Sequence, residues 1–388
     1  MRSPTSSQPR YQKVVLYLKT ISFARDNRAK KEIESLVKTG AEVEAVVFCD
    51  DVAPAEYAGA RIIQYRGLEK SAPAHLALRA AAALRFSFFA LRYARRASAA
   101  TSGKTLHWVA DPILFPLVIG LKKCGCGDVL WDHHELPPTW VLRGGAMTNL
   151  FVKAYQAADI VVHANQSRRN YLEEKIGARA RRAEIINNYP KASDLSSEKA
   201  IDALAGVAEK EKFVFLQNSL AENRCGPSIF AAVKQAGLKI IHAGNASAAQ
   251  KAALESKVGG IDQFCIFAGS LSLPEISWLL RRACCTVICY QQTSANQIYC
   301  EPNRLYHAMG MGTRIIAGNN PTMAEELENQ AEGVVLADDG MDAQGIFAAL
   351  EKMTAHAENG NGHTTRQAWG RSWDACENII FSIVFPSR

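Results

Sequence analysis

The sequence predicts an α/β protein built as two similar halves, each a parallel sheet with helices on both faces. Three observations carry that reading. Short apolar runs rich in Val, Ile and Phe alternate with helix-length segments nearly throughout. The runs are continuously apolar rather than alternating, which suits strands buried on both faces. The alternation breaks once, at a polar stretch over 189–212, and then restarts.

In chain order, "KVVLYL" (13–18) reads as the first strand. A helical pattern from about Arg28 to Thr39 follows, then Gly40 and the strand "VEAVVF" (43–48). "HLALRAAAALRFSFFALRYARR" (75–96) is alanine-rich and free of Gly and Pro, hence helix-prone. "TLHWVA" (105–110), "VLWD" (129–132), "IVVHA" (160–164) and "AEIIN" (183–187) complete the first half. "YPKASDLSSEKAIDALAGVAEKEK" (189–212) is mostly polar, with Pro190 near its start, and reads as a linker or loosely held loop. The second half continues with "FVFLQ" (213–217), "LKIIHAG" (238–244), "FCIFAG" (264–269), "TVICY" (286–290), "TRIIAG" (313–318) and "GVVLA" (333–337). A helical tail over about 364–384 carries Trp369 and Trp373.

Composition narrows the class. The 388 residues are 48% apolar and 21% charged, which excludes a fibrous or wholly disordered chain. Ten cysteines are too sparse for a disulfide scaffold. Cys265, Cys284, Cys285 and Cys289 lie in strand-like or helix-like runs, as small buried hydrophobes of a reducing compartment do. The start "MRSPTSSQPRYQK" lacks the apolar core of a signal peptide, and no apolar run is long enough to span a membrane. A cytoplasmic protein is expected.

The net charge of +7 is unevenly placed: residues 61–104 hold nine Lys or Arg against one acid, Glu69. At ~100° per residue, Arg85, Arg92, Arg95 and Arg96 share one sector of the 75–96 helix. Phe86, Phe89 and Tyr93 adjoin them, and Phe88 sits among them. Two readings stay open. Residues 75–100 meet an anionic membrane surface, or the arginines form a solvated face whose apolar side packs on the domain. No aromatic-and-basic RNA motif is present, so nucleic acid is not an expected partner.

In open parallel sheets, ligands bind beyond the carboxyl ends of the strands. "CEPNRLYHAMGMGTRIIAGN" (300–319) puts Pro302 at the first turn of a short helix that Gly310 and Gly312 end. Glu301, Asn303 and Arg304 then sit on the strand rim, where free N–H groups and the helix dipole favour an anion. A cation at that position opposes the dipole, so Arg304 makes sense beside a phosphate; the alternative is that it points to solvent. "LQNSLAENRCGPSIF" (216–230) repeats the strand–loop–helix layout, with Asn218 in the loop and Arg224 placed to neutralise a diphosphate. "AGSLSLPEI" (268–276) is a third rim loop, with Gly269 allowing close backbone approach and Ser270 beside it. Three such loops in one half point to a shared anionic ligand.

The first half offers "WDHHELPP" (131–138), two histidines and two acids directly after a strand. Such a cluster suits hydrogen bonding to a polyol or general acid/base work; either histidine could instead be a satisfied structural imidazole. Cys124 and Cys126 precede it, so zinc held with His133 or His134 is conceivable, but a Cys-x-Cys pair without a second Cys pair argues against it. No Asp-x-Asp motif suggests a Mg²⁺–diphosphate site, and no metal is expected. There is no Walker loop and no Gly-x-Gly-x-x-Gly.

Several of these stretches, in order, resemble one family. "EPNRLYHAMGMGTRIIAGNNP" is similar to the C-domain motif of the retaining GT-B glycosyltransferases of family 4, and "WDHHEL" to their D-x-HEL segment. "AADIVVHANQSRRNYLEEKIG" with "IINNYP" resembles the stretch before their interdomain hinge. "LQNSLAENRCG" looks like their first C-domain loop, "GRSWD" like their terminal motif, and "SFARDNRAKKEIESLVKTGAEVEAV" like their first helix, with Arg28 at the matching place. The resemblance implies a GT-B fold: two Rossmann-like parallel-sheet domains facing each other across a cleft, over 11–195 and 208–370. A C-terminal helix within 371–388 would pack back on the first domain.

It implies a metal-independent, retaining hexosyltransferase without a cofactor. A nucleotide-diphosphate sugar would be its donor substrate and a glycan or lipid-linked molecule its acceptor, in polysaccharide biosynthesis; the basic 75–100 segment adds the option of a place on the inner face of the membrane. Carried over, His134 and Glu135 lie by the transferred sugar as the catalytic pair. Arg224 and Arg304 face the diphosphate, and Asn218, Gly269, Ser270, Glu301, Asn303 and His307 complete the donor site. The family's E-x7-E pair falls at Tyr299 and His307 here. That departure leaves a rival, a catalytically inactive GT-B scaffold.

Overall fold

The computed structural model describes residues 9–66, 76–328, 333–358 and 370–385. Trp369 and residues 67–75 of the basic segment lie outside them. The chain divides into two compact units, 1–188 with 375–388, and 189–374.

The first unit holds an eight-stranded sheet of β1 (Lys13–Lys19), β2 (Glu42–Phe48), β3 (Glu56–Tyr57), β4 (Ala60–Gln64), β5 (Thr105–Ala110), β6 (Asp128–His133), β7 (Ile160–His163) and β8 (Ala183–Ile185). The order is β3-β4-β2-β1-β5-β6-β7-β8. Every neighbouring pair is parallel except β3–β4. Strand order reverses between β1 and β5, so the crevice of this sheet lies at their carboxyl ends. Helix α1 (Asn27–Lys38) follows β1, started by Asp26, whose side chain accepts from the Ala29 N–H. Strands β1 and β5 are buried almost end to end, as their unbroken apolar runs require.

The second unit holds six parallel strands, β9 (Phe213–Gln217), β10 (Lys239–Ala243), β11 (Cys265–Gly269), β12 (Cys285–Ile288), β13 (Ile315–Ala317) and β14 (Gly333–Val335). Their order is β11-β10-β9-β12-β13-β14. The reversal falls between β9 and β12, which brings the loops after those two strands to one point of the rim.

Two features depart from the expected layout. The polar stretch 189–212 is no loose linker. It forms the helices Ala192–Ser196 and Asp202–Lys210, with Leu204 and Ala208 buried. Ser277 Oγ donates to the Asp194 carbonyl at 3.1 Å, and Glu198 pairs with Arg281 and Arg282. Residues 189–195 therefore belong to the second unit, not to the end of the first. The hairpin β3–β4 was not expected; its turn places Ala58 and Gly59 both at positive φ. The helix Trp373–Val384 carries Glu377, which accepts from Ser35 Oγ (2.9 Å) and Lys38 Nζ (2.8 Å) of α1.

Candidate functional site

At the reversal point of the second sheet, two arginines converge on one ring. Tyr290 lies just beyond β12, with the Arg304 guanidinium 5.0 Å and that of Arg224 5.4 Å from its ring centroid. Arg224 Nη1 donates to the Asn218 carbonyl at 2.9 Å. Arg304 Nη1 donates to the Gln217 carbonyl and to Ser219 Oγ, both at 2.6 Å. Its Nε and Nη2 are buried and have no hydrogen-bond partner among the described residues. A buried donor without an acceptor is costly, which makes this the point of the rim most suited to an anion.

The local sequence explains why the loop after β9 closes so tightly. Asn218 and Cys225 both adopt positive φ (51° and 57°), turning the chain at each end of the loop. Gly226 sits where a Cβ would lie 2.5 Å from the Leu220 carbonyl oxygen, so the loop folds back onto its backbone. Behind the loop, His242 Nε2 accepts from the Ser219 N–H at 3.3 Å. Burial, aided by the positive charge of Arg304, pulls His242 down to about 4, so it is neutral at pH 7.

In the first unit the reversal point gathers four charged side chains. Arg28 Nε contacts Glu32 Oε1 at 2.8 Å and its Nη2 contacts Asp132 Oδ1 at 3.0 Å, while Nη1 donates to the Ile186 carbonyl. His134 Nε2 lies 3.2 Å from Glu32 Oε1 and 3.5 Å from Asp132 Oδ2. Trp108 Nε1 also donates to Asp132 Oδ2. Burial works against charge on His134, but Glu32 and Asp132 outweigh it and raise the imidazole to about 10. Burial pushes Glu32 up; Arg28 and His134 overcome burial at Asp132 and hold it far below the usual carboxylate range. Glu32, Asp132 and His134 are the one set of three such side chains among the described residues whose ligating atoms lie within 4.8 Å of one another. Arg28 already fills the face they share, so a metal cation would stand against a guanidinium. We do not assign them as metal ligands.

No protein-family model matches the chain, and no curated protein matches it in sequence. Solved structures do resemble it in fold over nearly its whole length. Sucrose-phosphate synthase from Thermosynechococcus elongatus shares 13% identity over 96% of this chain and 94% of its own, with a TM-score of 0.69. An α,α-trehalose-phosphate synthase (UDP-forming) from Burkholderia vietnamiensis shares 14% over 95% and 96%, with a TM-score of 0.63. HepE of Anabaena, in complex with UDP-glucose, shares 13% over 96% and 95%, also at 0.63. The chain has the GT-B fold. Its two Rossmann-like units each carry a parallel sheet, of eight and six strands.

Within that fold the expected residues separate into groups. Arg224, Arg304 and Asn218 meet at the rim through the contacts above, and Asn303 is exposed one residue before Arg304. Gly269 (φ 70°) ends β11, at the far edge of the same sheet, and Ser270 follows it. There the Gly269 carbonyl accepts from the Gly244 N–H and Ser270 Oγ donates to Asn245. Glu301 accepts from the Tyr306 hydroxyl.

His307 is a correction. It is buried, with Nε2 2.9 Å from Ser277 Oγ of the helix Leu273–Arg282, so it faces a neighbouring helix rather than the rim. Cys124 and Cys126 join no metal-type cluster among the described residues, against the zinc alternative. Arg95 instead donates to Cys124 Sγ at 2.9 Å. His133 is buried edge-on against Trp131 at 4.3 Å and pushed well below the ordinary histidine value by burial, but neither ring nitrogen has a hydrogen-bond partner among the described residues, so it is not a satisfied imidazole. Glu135 is exposed and makes no hydrogen bond or ion pair among the described residues.

On helix α2 (Leu76–Ala99), Arg85, Arg92, Arg95 and Arg96 are exposed. The aromatic stripe beside them is not a surface: Phe86 is buried against Phe48, Phe89 packs on Tyr65, and Tyr93 donates to Glu44. Phe88 (70% exposed) and Leu84 (46%) project among the arginines instead. Sequence reasoning missed Tyr290 and Glu32, and it noted Asp132 only as one acid of WDHHELPP. Tyr290 could have been found from its place directly after an apolar strand; Glu32 carried no signal, being one charge in a charged helix.

Proposed function

We propose that the chain is a glycosyltransferase that moves a sugar from a nucleotide-diphosphate donor to a glycan or lipid-linked acceptor. The observation that carries the reading is the pair Arg224 and Arg304 on one tyrosine ring, with Arg304 Nε and Nη2 buried and unpartnered. A diphosphate leaving group gains charge as the sugar turns oxocarbenium-like. Fixed guanidiniums and a helix N-terminus stabilise that charge without a metal ion. Fold neighbours solved with UDP or UDP-glucose support a nucleotide sugar as the donor. Asn218, Asn303, Gly269 and Ser270 are the further donor contacts in this reading. His134 and Glu135 are the catalytic pair in this reading, and the anomeric configuration is retained, as the resemblance to family 4 implies.

The exposed arginines of α2, with Phe88 and Leu84 among them, fit docking on an anionic membrane where a lipid-linked acceptor resides. In this reading the enzyme works at the inner face of the membrane in polysaccharide synthesis; no described helix is long and apolar enough to cross one. The test is incubation with a panel of nucleotide sugars and membrane extract, reading nucleoside diphosphate release. Release from one donor, lost in Arg304→Ala, is the expected result. His307 favours a second reading, a non-catalytic GT-B partner, because its burial leaves no carboxylate at that helix position. That reading requires that no donor bind.

A further inference from the structure

The cluster around His134 has a charge balance that decides the state of the imidazole. Glu32 and Asp132 are fully buried and Arg28 is nearly so. One guanidinium against two buried carboxylates leaves a surplus negative charge away from water, an arrangement of high cost. Glu32 Oε2 has no hydrogen-bond partner among the described residues, which sharpens the demand for a second cation. The groups facing His134 are Glu32 and Arg28 from α1 and Asp132 from β6. From the helix Gln166–Ile176, Arg168 donates to the His134 carbonyl. The adjacent His133 is held neutral by burial. His134 Nε2 is buried at ion-pair distance from both carboxylates but makes no hydrogen bond to either among the described residues, whereas its Nδ1 is not buried and has no partner among the described residues.

We propose that Glu32, with Asp132, is a positioning residue that holds His134 as a fixed imidazolium, so that its Nδ1–H is a cationic hydrogen-bond donor to a substrate oxygen and not a general base. The inference rests on the transferase reading for its substrate, but not for its charge state. The elevated affinity of His134 for its proton agrees with it. A metal ion would compete with Arg28 for the same carboxylates, and a proton on Glu32 with a neutral His134 would give the same net charge. These are the alternatives the test must separate.

The experiment is NMR of uniformly ¹⁵N-histidine-labelled full-length protein, with His134 assigned from His134→Gln. In the wild type both His134 ring nitrogens should show the protonated signature from about pH 6 to 9. In Glu32→Gln, which keeps the shape and removes the charge, His134 should titrate near the ordinary value of about 6.5. Donor turnover, if detected, should be flat over the same range in the wild type. In Glu32→Gln it should fall as pH rises through that value. A wild-type His134 that is neutral at pH 7 overturns the proposal whether or not the variant folds. So does a variant that stays protonated, or a wild-type His134 signal that moves with stoichiometric Zn²⁺ or Mn²⁺. Absence of any nucleotide-sugar binding counts against the transferase reading alone, since the NMR readout needs no substrate.

Discussion

Arg304 uses one nitrogen to hold the rim together and leaves two buried without a partner. A charge-assisted hydrogen bond contributes about 1.5–3 kcal/mol. Arg304→Ala should therefore weaken nucleoside diphosphate binding roughly tenfold to a hundredfold by calorimetry. Arg304→Lys should not restore it, because a single ammonium cannot both hold Gln217 and Ser219 and face the ligand. This residue was legible in the sequence, since a cation in the first turn of a helix needs a reason. His307 was not. It shares that helix, and only the position of Ser277, thirty residues earlier, turns it into the interior. The Arg28–Glu32–Asp132–His134 cluster was half legible: WDHHEL drew notice, but its partners arrive from about a hundred residues away.

The loop after β9 depends on a glycine for space rather than for φ. A methyl group at position 226 would press on the Leu220 and Ser219 carbonyl oxygens, 2.5 and 2.6 Å away, and backbone cannot yield cheaply. Gly226→Ala should cost about 1–3 kcal/mol in urea denaturation. It should also impair nucleotide binding, because Arg224 and Asn218 ride on the same loop. Strands β5 and β9 match their predicted runs residue for residue, since strands buried along most of their length read as near-continuous apolar runs. The hairpin β3–β4 escaped notice because "EYAGARIIQ" is short and half-exposed. The helices in 189–212 escaped because their partners, Ser277, Pro274 and Arg281, lie far along the chain.

Across the whole molecule, buried histidines set the response to acid. His107 and His163 in the first unit, and His242 and His307 in the second, are each pulled from 6.5 to about 4, chiefly by burial. A base with a depressed folded value favours the unfolded state once protonated. Stability is thus intact above about 6.5 and lost as pH falls through about 4. His134 acts in the opposite sense: its contribution is full below 6.5 and lost as pH rises through about 10. Urea midpoints measured against pH should give a maximum near neutrality with a steep acid limb, and His307→Gln should soften that limb.

The charge distribution gives a second molecule-wide expectation. Vesicles containing phosphatidylserine should bind the protein in a salt-dependent way. Arg92→Glu with Arg95→Glu should lower that binding by at least about tenfold, each lost basic residue near the surface costing about 1 kcal/mol. Phe88→Ala should lower it at every salt concentration.

The most direct measurement is a thermal-shift panel of UDP, GDP, dTDP, ADP and CMP against the wild type and Arg224→Ala. A ligand at ~100 times its Kd stabilises the fold that binds it by about 2.7 kcal/mol. One nucleoside diphosphate should raise the wild-type midpoint and leave Arg224→Ala unmoved. No shift from any nucleotide, with the protein folded, would contradict a donor site at this rim and favour the non-catalytic partner.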